Sequence, residues 1–252
     1  MSKNLELGRA LLTLADLRDV AIAGRKVLLS AGAIGRVRTA HEYLKRRVLS
    51  GEALYGVNTG FGMLSNVRIA NEDIEALQYN LLRSHAVGMG APIPDACVRA
   101  MLLLRASTLA AGHSGVAQPT IEAILDLLNK GVLPIIPEQG SVGASGDLAP
   151  LAHLALVLIG EGHARYRGKV MTGAQALRAA RLKPIRLGPK EGLALINGTQ
   201  FMTAIGALTL LEAEHLSDVA DVAGAMTIEA MRGTVAAFDP LIQAVRPHPG
   251  QI

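Results

Sequence analysis

The sequence predicts a mainly α protein of long bundled helices, with one loop-rich face and one small β-hairpin. Three observations carry this expectation. Half of the 252 residues are apolar, yet there are only three Phe, four Tyr and no Trp. Ala, Leu and Gly dominate, a mix that suits closely packed helices rather than an aromatic-rich sandwich. Apolar runs of helical length also recur along the chain, separated by glycine-marked breaks. The length suffices for one large domain with a substantial core.

The spacing predicts helices over Leu11–Ala23 and Lys26–Leu49, the second ended by Gly51. Residues 55–66 hold Tyr55, Gly56, Asn58, Thr59, Gly60, Gly62 and Asn66 and form a loop. It is no dinucleotide fingerprint, because Ser65 stands where a third glycine is needed. Asn71 is placed to cap a helix running to about His85, with Glu72 and Asp73 in its first turn. Asp95–Ala111 is nearly all apolar, with Arg99 and Arg105 as its cations, so it belongs in a core or at a subunit contact. Thr120–Asn129 is the next helix, stopped by Gly131. Pro134 and Pro137 then stiffen the approach to the central loop.

That loop reads Gly140-Ser141-Val142-Gly143-Ala144-Ser145-Gly146-Asp147 and opens into an apolar helix, Ala149–Ile159, with Pro150 tolerated in its first turn. The helix N-terminus carries partial positive charge towards the loop, and Asp147 is in place to cap it. His153, further along, reads as a core histidine. Gly162–Met171 forms a hairpin around Gly168-Lys169, and Ala174–Ala180 a short helix. Asn197-Gly198-Thr199 follows the run Leu193–Ile196 and starts the longest helix, to about Ala223, with Asn197 as its cap. Glu214, His215, Asp218 and Asp221 share a face of that helix. They lack a His pair at ligand spacing, so a solvated or intersubunit face is expected and no metal.

Ala144-Ser145-Gly146 is chemically unusual. Gly146 has no side chain, so its nitrogen can fold back on the Ala144 carbonyl carbon and close a five-membered ring. Loss of two waters, with Ser145 giving up its hydroxyl, would leave a methylidene-imidazolone electrophile. Peptide planarity resists closure, so the fold must hold the loop compressed. Other readings of the same residues stay open: a tight turn with a Ser or Asp cap, or a phosphate cradle, though no Gly-Lys-Ser/Thr follows. A nucleophile elbow is a third, though Asp147 occupies the final glycine position of that motif, and a serine hydrolase using Ser145 with His153 is a fourth, though no elbow exposes the nucleophile.

The longer string GSVGASGDLAPLAH, at 140–153, resembles the signature of the aromatic amino acid ammonia-lyases, which build this ring from Ala-Ser-Gly. YGVNTGFG at 55–62, NLLRSHAVGMG at 80–90 and EGLALINGTQ at 191–200 look like the same family in the same order, and specifically like its histidine ammonia-lyases. The resemblance runs over the whole chain. It implies Tyr55 as the catalytic base, Asn197 near the electrophile and the substrate, His85 facing the substrate side chain, Gly60 in the substrate site, and Asp147 assisting ring formation. Ser84-His85 looks like the histidine-specific version of a pair that is His-Leu in tyrosine-specific members and often Phe-Leu in phenylalanine-specific ones.

By the same resemblance the reaction is non-oxidative elimination of ammonia from L-histidine to trans-urocanate, with no dissociable cofactor. The assembly would be a homotetramer whose sites combine several subunits. Family members are about twice this length, so the chain, residues 1–252, is expected to be the N-terminal catalytic portion, without the C-terminal helical half and inactive alone. Tyrosine or phenylalanine ammonia-lyase, aminomutase and a non-catalytic half-chain are the alternatives.

Composition narrows the setting. Cys97 is the only cysteine, which excludes an intrachain disulfide and fits the cytoplasm. The start lacks the apolar core of a signal peptide. The longest strongly apolar stretch, Leu148–Gly160, is too short to span a bilayer, so no membrane is expected. A net charge of +4 without a Lys/Arg block interleaved with aromatics argues against nucleic acid. Lys45-Arg46-Arg47 reads as a solvated helix face.

Overall fold

A computed structural model describes residues 3–50 and 52–250. It is mainly helical, and it divides into two compact units, residues 1–208 and 209–252.

The first unit is built on α4 (Asp95–Ala110). Val98, Ala100, Met101, Leu102, Leu103, Ala106, Leu109 and Ala110 are all buried, so the helix meets neighbours on nearly every side. That is why it shows no amphipathic period. Around it pack α1 (Leu14–Ala21), α2 (Ala31–Leu49) and α5 (Gln118–Lys130). Gly131 ends α5 with φ +70°, the left-handed cap that glycine adopts without a Cβ penalty. A second apolar helix, α6 (Leu148–Leu158), packs against α3 (Ile74–His85), α7 (Gly173–Ala179) and α8 (Glu191–Ile196).

The two cations of α4 both serve helix ends. Arg99 donates to the carbonyls of Val20, Ala21 and Leu128, at the C-termini of α1 and α5. Arg105 donates to the carbonyls of Ala194 and Asn197, at the end of α8. Orphan carbonyls and the negative end of a helix dipole favour a cation there.

Short strands brace the helices. β1 (Leu5–Leu7) pairs in parallel with β2 (Val27–Leu29), Leu5 opposite Val27. β3 (Met89–Pro92) pairs antiparallel with β5 (Pro137–Gln139). β4 (Leu133–Pro134), β6 (His163–Tyr166) and β7 (Lys169–Thr172) form an antiparallel sheet of order β4-β6-β7. The expected hairpin is β6–β7, and its two turn residues are Arg167 and Gly168, both with positive φ.

Several expectations need correction. Lys26–Leu49 is not one helix: Val27–Leu29 is a strand, and the helix begins only after Ser30, whose hydroxyl caps it at Ala33. Leu11–Ala23 shortens to Leu14–Ala21 because Thr13 and Asp16 form a reciprocal capping box. Gly51 lies outside the described residues. The Asn71 segment is a single 3-10 turn, Asn71–Asp73, and α3 proper starts at Ile74. Leu193–Ile196 belongs to a helix of its own, α8, before the longest helix, α9 (Gln200–Ala230).

In the first unit α9 buries Gln200, Phe201, Ala204 and Leu208 along one face. By length and composition the run Glu191–Ala230 is apolar enough to cross a membrane, with mean hydropathy 1.4 over its best window, so Leu148–Gly160 is not the longest apolar stretch. A core helix meets the same criterion. Here the run breaks at Asn197–Thr199, where Arg105 donates to the Asn197 carbonyl and the Asp147 N–H to the Gly198 carbonyl.

The second unit continues α9 to Ala230, followed by a 3-10 turn at Ala236–Phe238 and α10 (Pro240–Val245). Within it Leu216, Val222, Met226, Phe238 and Leu241 are exposed. Glu214, His215, Asp218 and Asp221 are exposed too.

Candidate active site

The central loop is held at both ends. On its entry side, β5 lies beside β3 and brings Gly140 against Gly88: a Cβ on Gly140 would sit 3.1 Å from the Gly88 Cα. Gly88 follows three residues after His85, so the strand pair places the end of α3 beside the loop. Residues Val142 to Ser145 then stand exposed.

On the exit side the chain dives inward at Gly146, which is buried with φ +127°. A Cβ there would lie 2.7 Å from the Gly198 carbonyl oxygen and 2.9 Å from its nitrogen. Only glycine fits, for conformation and for space. The next residue fixes the contact, because the Asp147 N–H donates to the Gly198 carbonyl at 2.6 Å.

Asp147 was expected to cap α6. It occupies the cap position, but its side chain makes no bond to that helix. It is fully buried, and its carboxylate Oδ2 accepts from the Phe201 and Met202 N–H groups at 2.9 and 3.1 Å. These are two of the orphan donors in the first turn of α9. Oδ1 accepts from the Ser141 hydroxyl at 2.6 Å. Ser141 and Asp147 therefore tie together the two ends of the segment that contains Ala144-Ser145-Gly146.

Asn197 is not the cap of α9, since Asp147 does that work from across the fold. Asn197 ends α8, its side chain is exposed, and its carbonyl accepts from the Arg105 Nη1 at 3.1 Å. The N-termini of α6 and α9 thus meet at the Gly146–Gly198 contact, and both present partial positive charge there.

His85 is half-buried at the end of α3. Its Nδ1 lies 2.9 Å from the Leu81 carbonyl and 3.1 Å from the Ser84 hydroxyl. A carbonyl can only accept, so the Nδ1–H donates to Leu81, and Nε2 is the ring nitrogen left for other partners. His153 is committed instead: its Nε2 accepts from the Gly88 N–H at 3.0 Å, and burial pushes its pKa down. With that lone pair occupied, it is a structural histidine and no base for Ser145.

Tyr55 is exposed, with its ring edge-on to Phe61 at 6.0 Å, and its hydroxyl has no hydrogen-bond partner among the described residues. Its turn is anchored through Gly56, where a Cβ would meet the Leu193 side chain of α8. Gly60 is buried, its N–H donating to the Val67 carbonyl at 3.0 Å, and a Cβ would strike Leu64. The structure therefore joins Gly146, Asp147 and Asn197-Gly198 directly, sets the His85 end of α3 beside the loop, and leaves Tyr55 facing outward.

Sequence reasoning passed over Gly198, Ser141 and Arg105 as parts of this site. For Arg105 there was a signal: a cation inside a nearly all-apolar helix must find buried acceptors.

A mainly helical core around a glycine-rich loop clamped between two helix N-termini is an enzyme-like arrangement, and the comparisons give it a family. The family model described as aromatic amino acid lyase matches residues 12–252, and the chain belongs to that family. More particularly, it is 52% identical over 241 residues to a histidine ammonia-lyase from Alkaliphilus oremlandii, covering 96% of this chain and 48% of that protein. A crystal structure of histidine ammonia-lyase from Trypanosoma cruzi superposes with a TM-score of 0.91 at 40% identity, over 98% of this chain and 48% of that one. The phenylalanine aminomutase of Pantoea agglomerans gives a TM-score of 0.91 at 34% identity, over 98% of this chain and 47% of that one. The chain spans about half the length of the curated relatives it matches.

Proposed function

We propose that residues 1–252 are the N-terminal catalytic portion of a cytoplasmic, homotetrameric histidine ammonia-lyase that eliminates ammonia from L-histidine to give trans-urocanate. The observation that carries this reading is the clamp on Gly146. Its left-handed φ, the absence of room for a Cβ against Gly198 and the Ser141–Asp147 tie hold the segment at both ends, which supports a loop fixed for ring closure.

In that closure the Gly146 nitrogen bonds to the Ala144 carbonyl carbon. The carbonyl oxygen leaves as water with the Gly146 and Ser145 N–H protons, and the ring gains a C=N bond to the Ser145 nitrogen. Ser145 then loses its Cα proton and its hydroxyl as a second water, which creates the exocyclic Cα=Cβ bond. Ala144 and Ser145 are exposed, so the methylene carbon would be reachable by substrate. Once formed, the methylidene-imidazolone supplies an electrophile for the amino group and improves its departure.

The remaining residues of this chain bind and move protons. Tyr55 takes the β-proton of the substrate, and its outward placement fits a site completed by another subunit. His85 presents Nε2 as an acceptor for the substrate imidazole N–H. Asn197 donates its side-chain amide to the ring oxygen as negative charge develops there, and Gly60 keeps the floor of the substrate site free of bulk. Asp147 supports ring formation by tying the loop to α9. The Ser84-His85 pair and the 52% identity to a histidine ammonia-lyase favour histidine over tyrosine or phenylalanine.

Intact mass tests the electrophile. The protein containing this chain should weigh two waters less than its sequence, and Ser145→Ala should restore the full mass. An undehydrated parent would end this reading. Incubation of the assembled enzyme with L-histidine, L-tyrosine and L-phenylalanine, followed by product analysis, tests the substrate: urocanate is expected, and cinnamate, coumarate or a β-amino acid would point to the sister activities.

A further inference from the structure

Arg105 is almost completely buried within the core helix, and among the described residues none of its bonding partners is a carboxylate. Its guanidinium forks instead onto one short segment, residues 194–200. Nη2 donates to the Ala194 carbonyl, while Nη1 donates to the Asn197 carbonyl at 3.1 Å and the Gln200 Oε1 at 2.9 Å. Gln200 is itself held, its amide donating to the Thr108 hydroxyl at 3.1 Å, one turn further along the same helix. A charge buried without a counterion is costly, and burial alone pulls this guanidinium down to about 10. It remains a cation at neutral pH.

The layer in front of it is Gly198. A Cβ on Gly198 would come 2.3 Å from the Arg105 Nη1, and a Cβ on Gly146 would come 2.7 Å from the Gly198 carbonyl oxygen. Gly146, Gly198 and Arg105 therefore stack with no room for a side chain between them. Arg105 backs the elbow between α8 and α9, and the elbow backs the loop.

We propose that Arg105 is the positioning residue of the electrophile-forming loop, holding the Asn197–Gly198 elbow against Gly146 so that the Gly146 nitrogen stays within reach of the Ala144 carbonyl carbon. This rests on the ring-forming reading above. The reaction served is the bond from the Gly146 nitrogen to the Ala144 carbon, with loss of the Ala144 oxygen as water. Arg105 touches neither reacting atom. It acts through three backbone and side-chain oxygens, and the compact ammonium of a lysine lacks the planar fork that meets them.

The test is the intact mass of the protein containing this chain, as parent, Arg105→Met and Arg105→Lys, with thermal melting followed by circular dichroism. Met fills the space without a donor and should leave the protein at its full mass. Lys keeps the charge but not the fork, and its rate of water loss should fall by up to about 100-fold, the scale of loss that small misplacement causes, so that its dehydrated fraction at a fixed time after synthesis falls below the parent's. Both should melt cooperatively. If Arg105 only stabilised the fold, melting would shift while the loss of two waters stayed at the parent level, and that result in either variant overturns the proposal. Should Arg105→Met fail to fold, Arg105→Lys decides alone: a reduced dehydrated fraction supports the role, and a parental one removes it. A parent that itself retains both waters refutes the ring-forming reading, and this role with it.

Discussion

The carboxylate of Asp147 accepts from the Phe201 N–H at 2.9 Å, so the residue that opens one helix caps another lying 54 positions further along the chain. Through this bond the start of α9 and the end of the central loop become one structural unit. Asp147→Ala would leave the Phe201 and Met202 amides and the Ser141 hydroxyl without their buried acceptor. The cost should be about 2–4 kcal/mol, from a lost cap and unsatisfied buried donors. Urea unfolding of parent and variant measures it, and a change under about 0.5 kcal/mol would remove Asp147 from this role.

Gly146→Ala keeps every atom that ring closure consumes. It adds only a Cβ, in a left-handed conformation and at 2.7 Å from the Gly198 oxygen. The variant should lose about 2 kcal/mol or more of stability, and its mass should show no loss of water. Normal dehydration in a folded Gly146→Ala protein would mean that the clamp is not what drives closure.

His153 predicts a pH dependence. Burial lowers its pKa below the ordinary histidine value of about 6.5, and the Gly88 N–H requires its Nε2 to be unprotonated. The unfolded chain therefore binds the proton more readily than the folded one. The contribution is complete above the unfolded pKa and is lost as pH falls through the folded pKa. Stability should decline as the pH falls below about 7. In His153→Gln the side-chain oxygen can accept from Gly88 without titrating, so this part of the slope should flatten. An unchanged slope would assign the acid sensitivity elsewhere.

Tyr55→Phe removes one hydroxyl from an exposed ring whose contact with Phe61 does not use it. Stability should stay within about 0.5 kcal/mol of the parent, and the loss of two waters should be unaffected. If Tyr55 is the base of the proposed reaction, turnover of L-histidine by the protein containing this chain should fall by at least about 100-fold, the scale expected when a general base is removed. A Tyr55→Phe enzyme with parental turnover would exclude Tyr55 as the base.

His85→Leu tests selectivity apart from chemistry. Loss of the Nε2 acceptor should raise KM for L-histidine about 10-fold or more, while the dehydrated mass persists. Equal KM values for the two proteins would show that the imidazole is recognised elsewhere.

Much of this protein could be read from its residues. The buried helix around Leu103, the glycine stop at Gly131, the β6–β7 hairpin and the loop before α6 follow from local rules, in which apolar run length, φ-permissive glycine and small-residue clusters act over a few positions. The failures share a cause. Val27–Leu29 has an apolar run that suits helix or strand, and parallel pairing with Leu5–Leu7 decides it. Asp147 and Asn197 both have the chemistry of a cap and both precede a helix, so sequence assigned each to its own neighbour. The fold turned Asp147 towards α9 and left the Asn197 side chain exposed.

What the sequence determined by itself is the chemistry proposed for it: the Ala144-Ser145-Gly146 triplet, a helix-rich core to carry it, and the order of the segments around it. Tertiary structure alone decided which of those segments touch. The Gly146–Gly198–Arg105 stack joins residues from three distant parts of the chain. Contacts of that kind depend on backbone spacing and buried charge across the core, which no local pattern of side chains encodes.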